Sequence, residues 1–483
     1  MRMMMRKQVG AAVAMLAVAA QFACGVALRN GDVPPASAAA NIGDFAFVNV
    51  TVISMDRTGV LEEQTVLVSD GVIKGIGPTS QFPARIGDTV IDGRGKFLIP
   101  GLAEMHAHVP GGNAPEQLLR DIMFLYVANG VTTIRGMLGA PNQLILREQL
   151  ARGEIAGPTF FVGAPSLNGQ SASTPEAGSR LVREHKTAGY DFLKLHPGLT
   201  RPVYDAIVAT AGEVGITFAG HVSAGVGLER TLEARQSTID HLDGYLEASV
   251  PDPLRARMLS GQVPFSEWVP AVDPARVRYW AGRTREAGTW NVPTAFLWES
   301  FYSAESPEEA AQRPEMRYAS PQMVSGWMQQ KRNMTESQQS QGVLSEDVDR
   351  FLELRRLALR ALADSGAPLL MGTDSPQMFN VPGFALHREV VVMQEAALTP
   401  FQILESGTRN VARYVERDLG LDGNFGAIVP GNRADLVLLD ANPLLNVRNL
   451  ARRSGVMVRG RWFTAAELEQ GLADMARRYR PGQ

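Results

Sequence analysis

Eight apolar, strand-like runs separated by helical segments constrain the fold of this chain more than any other feature. The runs lie at residues 97–109, 130–137, 159–168, 191–198, 217–223, 237–245, 290–299 and 368–376. The segments between them are typical of amphipathic helices, and several end at a glycine, as helices commonly do. Strand–helix alternation repeated eight times predicts a parallel (β/α)8 TIM barrel of the α/β class.

The two ends of the chain carry a different pattern. Short runs rich in Val and Ile, separated by Asp-Gly and Gly-x-Gly turns, occupy residues 42–98 and return at 426–464. Such runs predict β-strands. We therefore expect a small composite β-sandwich built from both ends, flanking a barrel at 99–425. The polar stretch 303–345 reads as a lid-like insertion after the seventh strand, and 465–483 as a C-terminal helix or tail.

The first 38 residues resemble a targeting segment. A basic start, an apolar run at 9–28 and small residues around Ala36-Ser37-Ala38 form the pattern of a secretory signal peptide. This predicts a periplasmic or secreted protein. Two alternatives stay open, because the apolar run is long enough to anchor the chain in a membrane and the single cysteine, Cys24, could carry a lipid.

Composition and charge argue against a nucleic-acid partner. The chain is 45% hydrophobic and 20% charged, which is typical of folded proteins, and its net charge is 47 − 50 = −3. Outside the first residues no cluster of basic side chains stands out. We expect a small-molecule or dipeptide substrate, no nucleic acid, and contact with a membrane only if the N-terminal segment is not cleaved.

Histidine is scarce in this sequence and is placed at the ends of predicted strands. His106 and His108 are one residue apart in the first run, so they project from the same face of a strand. His221 ends the fifth run, His241 the sixth, and Asp374 the eighth. Because barrel active sites lie at the carboxyl ends of the strands, these side chains predict a metal site there.

One lysine in the fourth run is unexpected beside a metal site. Lys194 lies among Phe192, Leu193 and Leu195, where it could simply extend its ammonium group to the strand end. An ammonium group facing metal ions would be repelled. Lys194 fits such a site if it is neutralised, or if CO2 converts it into a carbamate whose oxygens bridge two metal ions.

Taken together, "HAH" at 106–108, the fourth-strand lysine, the two later histidines and "GTD" at 372–374 resemble the amidohydrolase superfamily. The stretches "GLAEMHAHV", "GVTTIRG", "LHREVVVMQEAALTP" and "FGAIVPGNRADLVLLDANPL" are similar to its imidazolonepropionase-like and Xaa-Pro dipeptidase-like branch. True imidazolonepropionases look mononuclear and lack the bridging lysine, so Lys194 argues against that activity.

The resemblance implies a binuclear site with a defined role for each residue. His106, His108 and Asp374 would bind one divalent ion, and the carboxylated lysine would bridge it to a second ion held by His221 and His241. Zinc suits these ligands, although manganese, cobalt or nickel could replace it. A hydroxide between the two ions would attack an amide carbonyl, with Asp374 as the general base.

The substrate class is less defined than the reaction. The resemblance implies an amide such as a dipeptide, an N-acyl amino acid or an aromatic amide. A lactone, other ester, carbamate or phosphotriester is the alternative at the same metals. A non-catalytic binding protein on this fold is disfavoured, because none of the six ligands is lost. Members of the superfamily often assemble, so a homo-oligomer is compatible with the sequence.

Four further polar residues are candidates for substrate contact. His196 shares the face of Lys194, Tyr245 follows His241 by four residues, and Arg135 ends the second run. His387 follows the eighth run at the start of a helix. Three of them have a structural alternative: packing for His196 and Tyr245, and a bond to a backbone carbonyl for Arg135.

Overall fold

A computed structural model describes residues 43–259, 261 and 263–480. The predicted signal peptide at 1–38 therefore lies outside the described residues. No helix in the described part of the chain combines the length and the apolar character needed to cross a membrane.

The strands are short, and those of the barrel are almost wholly buried. In chain order they are β1 (Phe45–Val52), β2 (Leu61–Ser69), β3 (Val72–Pro78), β4 (Thr89–Asp92), β5 (Phe97–Pro100), β6 (Leu102–Ala107), β7 (Val131–Gly136), β8 (Thr159–Val162), β9 (Phe192–Leu195), β10 (Thr217–Gly220), β11 (Thr238–Asp240), β12 (Trp290–Val292), β13 (Leu436–Leu439), β14 (Arg453–Val458) and β15 (Arg461–Thr464).

Helices follow most barrel strands. In chain order they are α1 (Glu116–Ala128), α2 (Pro141–Ala151), α3 (Pro175–Ala188), α4 (Arg201–Val214), α5 (Gly227–Glu233), α6 (Asp252–Leu259), α7 (Phe265–Trp268), α8 (Pro274–Ala287), α9 (Ala295–Tyr302), α10 (Pro307–Ala310), α11 (Pro321–Ser340), α12 (Ser345–Ser365), α13 (Phe384–Glu395), α14 (Pro400–Ser406), α15 (Arg409–Tyr414) and α16 (Ala465–Tyr479). Left-handed glycines end α3, α4, α8 and α12, in agreement with the glycine-terminated segments of the sequence.

Strands β6 to β12 and residues 368–375 close into a ring. Parallel pairing joins β6, β7 and β8, and separately β9 to β12. The N–H of Ala164 donates to the carbonyl of Phe192 (2.8 Å) and links the two sheets. Residues 368–375 complete the ring, because Leu370 N–H donates to Asn291 (2.8 Å) and Met105 N–H to Met371 (2.8 Å). The predicted barrel is thus confirmed as a TIM-barrel-like α/β fold.

Two predicted runs are divided in the structure. Gly101 separates β5, which belongs to the end sheet, from barrel strand β6. In the seventh run only Trp290–Val292 is a strand, and Ala295–Tyr302 forms helix α9, so the prediction of one long strand is wrong. Pro293 offers no N–H to a strand ladder, and periodicity alone does not distinguish a short buried strand from a buried helix.

Both ends of the chain meet in one sheet of eight strands. Its order is β15-β14-β13-β5-β1-β2-β3, with β4 pairing with β1, and the antiparallel pair β13–β5 joins the two ends. Alternate residues of β13 face two cores: Val437 packs with the barrel, and Leu438 packs with Phe45 and Trp462. The structure shows one sheet that shares the barrel core, so a separate β-sandwich domain is not confirmed.

The predicted insertion at 303–345 contains α10 and the whole of α11. Trp327 of α11 is buried against Phe379, with ring centroids 5.9 Å apart, in a cluster that also contains Met475 of α16. The Lys331 ammonium group donates to the carbonyls of Ser300 (2.9 Å) and Ser303 (2.8 Å) near the end of α9. These contacts hold the helices of this segment against the barrel; its role as a lid stays a prediction.

Gly101, where the end sheet meets the barrel, leaves no room for a side chain. A Cβ at this position would lie 2.1 Å from Thr132 Oγ1. We expect Gly101→Ala to lower the free energy of unfolding by about 1–3 kcal/mol, measured as an earlier midpoint in urea. Gly212→Ala in α4 is the control, because no atom lies within 4 Å of its Cβ position. Equal midpoints for Gly101→Ala and wild type would contradict this close approach.

Candidate metal centre

The six predicted ligands lie at the carboxyl ends of the barrel strands. They are His106 in β6 and His108 just after it, Lys194 in β9, His221 after β10, His241 after β11, and Asp374 in the closing segment. The imidazole ring centroids of His106 and His241 are 4.5 Å apart, and those of His221 and His241 are 4.6 Å apart. Residues up to 268 positions apart in sequence thus form one cluster in the fold.

His106, His108 and Asp374 form the tightest group of donor atoms. One atom from each lies within 4.8 Å of the others. Asp374 Oδ1 is buried and lies 2.6 Å from His108 Nε2 and 3.6 Å from His106 Nε2, but neither contact has hydrogen-bond geometry. Two imidazole nitrogens converging on an unpartnered carboxylate oxygen suit a divalent metal ion. The donor set therefore fits the metal that the sequence predicts.

His221 and His241 each use one ring nitrogen to hold the imidazole in place. His221 Nδ1 lies 2.7 Å from Asp243 Oδ2, and His241 Nδ1 lies 2.8 Å from Thr294 Oγ1. In His241 the same nitrogen also lies 3.7 Å from Asp374 Oδ2. A partner on the second nitrogen is what fixes the ring of a metal-binding histidine.

Lys194 is fully buried beside His106 and Asp240. Its Nζ lies 3.5 Å from His106 Nε2 and 3.5 Å from Asp240 Oδ2. Burial lowers the pKa of the Lys194 ammonium group below its ordinary value, and the carboxylates of Asp240 and Asp374 oppose that shift. A lowered pKa favours the neutral amine, which is the form that reacts with CO2.

Sequence reasoning missed a carboxylate that connects two strands. The Glu104 side chain accepts hydrogen bonds from the N–H groups of His106 (2.9 Å) and Thr373 (2.8 Å), and burial raises its pKa to about 8. It thereby links the metal-facing end of β6 to the closing segment. The signal was present in the sequence, because residues 104, 106 and 108 lie on one face of a strand.

Two further carboxylates lie beside the histidines. Asp240 Oδ2 is 3.2 Å from His106 Nδ1, and Asp243 contacts His221 as described above. Both flank His241 in the stretch "TIDHLDG". Acidic residues next to predicted metal-binding histidines could have been named as their partners, as carboxylate–histidine pairs commonly accompany metal sites.

Of the four candidate substrate contacts, His196 lies next to the proposed metal ligands. Its ring centroid is 4.9 Å from that of His221, and its Nδ1 bonds to the Ser166 hydroxyl group. The ring is only partly buried. Its role in substrate contact stays a prediction.

The structure buries Arg135 and Tyr245 completely, with their polar groups bonded to other parts of the protein. The buried Arg135 guanidinium donates to the Met105 carbonyl (2.8 Å) and lies 3.4 Å from Asp240 Oδ1. The buried Tyr245 hydroxyl bonds to Thr284 (2.8 Å) and Asn291 (2.9 Å). The Arg135 side chain points into the barrel interior and contacts Asp240, which lies beside His106. Tyr245 follows a turn that directs it into the helix layer.

His387 faces the end sheet instead of the metal centre. Its Nε2 lies 2.9 Å from Arg453 Nη1 in β14, and burial lowers the pKa of its imidazole well below the ordinary value. The position of His387 on α13 sets the direction of its side chain, because a helix turns successive side chains by about 100°. A role for His387 in substrate contact stays a prediction.

Comparison with known proteins adds a family and several relatives. A sequence profile described as "Amidohydrolase family" matches residues 97–463. Enamidase of Eubacterium barkeri is 36% identical over 85 residues, which cover 17% of this chain and 22% of the enamidase. The chain thus matches about a fifth of that relative's length. Imidazolonepropionase of Geobacillus thermodenitrificans (strain NG80-2) is 24% identical over 419 residues, 80% of this chain and 86% of that protein.

Solved structures share the fold. The bottromycin amidohydrolase superposes with a TM-score of 0.67 at 24% sequence identity, over 89% of this chain and 90% of the other. An Xaa-Pro dipeptidase with bound methionine superposes with a TM-score of 0.62 at 18% identity, over 87% of this chain and 100% of the other. At these identities the match concerns the fold.

Proposed function

The chain belongs to the amidohydrolase family of hydrolases that act on carbon–nitrogen bonds, and we propose that it is an exported binuclear metallohydrolase that cleaves an amide bond. The observation that carries this proposal is the convergence of His106, His108 and Asp374, whose donor atoms lie within 4.8 Å of one another. The unpartnered, buried Asp374 Oδ1 between two imidazole nitrogens supports a cation at that place.

Two sets of residues would hold two divalent ions, with zinc as the proposed metal. His106, His108 and Asp374 would hold the first. His221 and His241, whose rings are held by Asp243 and Thr294, would each offer a ring nitrogen to the second. Lys194, buried beside His106, would link the two sets as a carbamate.

The chemistry is divided between the ions and Asp374. Bound divalent ions polarise the substrate carbonyl and lower the pKa of bound water. Asp374 is proposed to accept the proton of the attacking water and to deliver it to the leaving nitrogen. Its position suits that role, because its side chain lies at the open end of the barrel beside His108, which is 23% exposed.

The proposed substrates are dipeptides, N-acyl amino acids and aromatic amides. Enamidase and the Xaa-Pro dipeptidase, both named for substrates with carbon–nitrogen bonds, favour this choice. Lactones, other esters, carbamates and phosphotriesters remain the alternative at the same metal site, because a metal-activated water can attack each of these centres.

Metal analysis and a substrate panel test the proposal directly. Protein purified with metal is expected to contain about two ions per chain, and dialysis against a chelator should remove both the ions and the activity. The metal-loaded protein is then assayed against dipeptides, N-acyl amino acids, aryl amides and aryl esters. Amide cleavage supports the proposal, ester cleavage alone supports the alternative, and a metal content near zero contradicts the mechanism.

Export rests on the sequence of the N-terminal segment. We propose a periplasmic or secreted protein whose chain is cut near residue 38, after the small residues Ala36-Ser37-Ala38. Expression of the full chain followed by N-terminal sequencing of the exported protein checks this. An intact N-terminus in the membrane fraction would indicate an anchor, and a lipid on Cys24 would indicate a lipoprotein.

A further inference from the structure

Two strand ends beside the metal centre have a backbone conformation that side chains rarely adopt. His241 after β11 has φ +61°, and Thr294 after β12 has φ +43°. Neither residue is a glycine, so both conformations are strained. Strained residues persist only where the surrounding structure holds them in place, and they are concentrated at functional sites.

Glu389 of α13 fixes the position of the residues that follow Thr294. Its carboxylate oxygens accept hydrogen bonds from the N–H groups of Ala295 (2.9 Å) and Phe296 (2.7 Å), which are the first two residues of α9. These N–H groups have no partner within the helix, and a carboxylate is favoured at a helix N-terminus. The helix therefore starts at a fixed place, with the Thr294 hydroxyl 2.8 Å from His241 Nδ1.

Arg355 of α12 holds His241 through the backbone. Its guanidinium group donates a hydrogen bond of 2.7 Å to the His241 carbonyl. The same group lies over the ring of Trp298, 4.1 Å from the centroid, which fixes its plane. The imidazole of His241 is thus held at Nδ1 by Thr294, and its backbone is held by Arg355.

Both charged groups are buried, which is costly unless they are paired. Glu389 has no exposed surface and Arg355 is 7% exposed. Burial lowers the pKa of Arg355 to about 10 and raises that of Glu389 to about 7, and the charge of each opposes the shift of the other. Each group is held by hydrogen bonds to the backbone, Glu389 to two N–H groups of α9 and Arg355 to the His241 carbonyl.

We propose that Thr294, Glu389 and Arg355 are positioning residues that hold the His241 imidazole in the orientation needed to bind one of the two metal ions. This rests on the proposed function, because it assigns His241 to that ion. None of the three is proposed to contact the metal or the substrate. Their effect passes through the Nδ1 and the carbonyl of one histidine.

Paired variants of Thr294 give the cleanest test. Thr294→Val removes the hydroxyl group at nearly constant shape, and Thr294→Ser keeps it. Zn²⁺ affinity is measured by competition with a chromogenic chelator, and Co²⁺ absorption reports the geometry of each site. We expect Thr294→Val to lower the affinity for one ion roughly 10- to 100-fold and to leave the affinity for the other ion unchanged. Thr294→Ser should bind both ions like wild type.

Glu389→Gln and Arg355→Met extend the test to the two charged groups. Both variants should lower the affinity for the same ion and lower kcat. Saturating metal should restore part of the activity. Arg360→Met on α12 and Glu395→Gln on α13 are matched controls, because both side chains are largely exposed and lie on the same helices.

The outcomes separate positioning from simple stability. If Thr294→Val, Glu389→Gln and Arg355→Met lower the melting temperature but bind both ions like wild type, the three residues are structural and the proposal is overturned. Equal binding by Thr294→Val and Thr294→Ser also overturns it. Failure of the wild-type protein to bind metal would instead contradict the proposed function, and this is measured before any variant is made.

Discussion

Asp374→Asn is expected to abolish turnover while the fold is retained. The substitution keeps the shape of the side chain but replaces one carboxylate oxygen with an NH2 group, which neither binds a metal ion nor accepts a proton. In the structure Asp374 Oδ1 lies between His108 Nε2 (2.6 Å) and His106 Nε2 (3.6 Å), so both proposed roles depend on one group. We expect kcat to fall by roughly 10³-fold or more.

The measurement combines kinetics with metal content. The kcat of Asp374→Asn is determined on the best substrate of the panel at saturating metal, and circular dichroism verifies the fold. Asp364→Asn is the control, since this exposed residue of α12 pairs only with Arg360 in the described contacts. If Asp374→Asn with full metal content turned over like wild type, Asp374 would not be the general base.

Lys194→Ala is expected to reduce activity by roughly 100-fold or more and to release one of the two ions. The substitution removes the group proposed to link the two sets of ligands, and it leaves a buried space beside Asp240 and His106. Short carboxylic acids such as formate, acetate and propionate should restore part of the activity, because they can place two oxygens in that space.

Rescue by acids distinguishes a bridging carbamate from a structural lysine. Metal content and activity are measured with each acid across a concentration series. Lys186→Ala is the control, because this exposed side chain of α3 bonds to the Gly215 carbonyl at the surface. Full activity of Lys194→Ala, together with an unmodified lysine in the mass spectrum of the native protein, would contradict the bridge.

Strand ends were the most informative part of the sequence. Two rules alone, that residues two apart share a face of a strand and that parallel strands end at one rim, predict one cluster of six residues: His106, His108, Lys194, His221, His241 and Asp374. The structure brings them together as those rules predict. Local pattern was sufficient because five of the ligands lie within or just after a strand and Asp374 lies in the segment that closes the barrel.

Three of the candidate substrate contacts could not be placed in this way. Tyr245 follows two residues with positive φ, His241 and Leu242, which turn the chain away from the centre. Arg135 has a side chain long enough to reach across the barrel interior to Asp240. His387 faces β14, a strand contributed by the far end of the chain. In each case the direction depends on backbone angles or on partners distant in sequence.

The sequence by itself determined the strand–helix order, and with it the barrel and the polar groups around its rim, because these follow from local periodicity and residue type. Only the tertiary structure decided which partners hold those groups: Glu104 across to Thr373, Asp243 on His221, and Thr294 on His241. It also decided that the two chain ends form one sheet against the barrel. Such contacts join distant segments, and their geometry is set only when the packed strands and helices fix each side chain within a few ångströms of its partner.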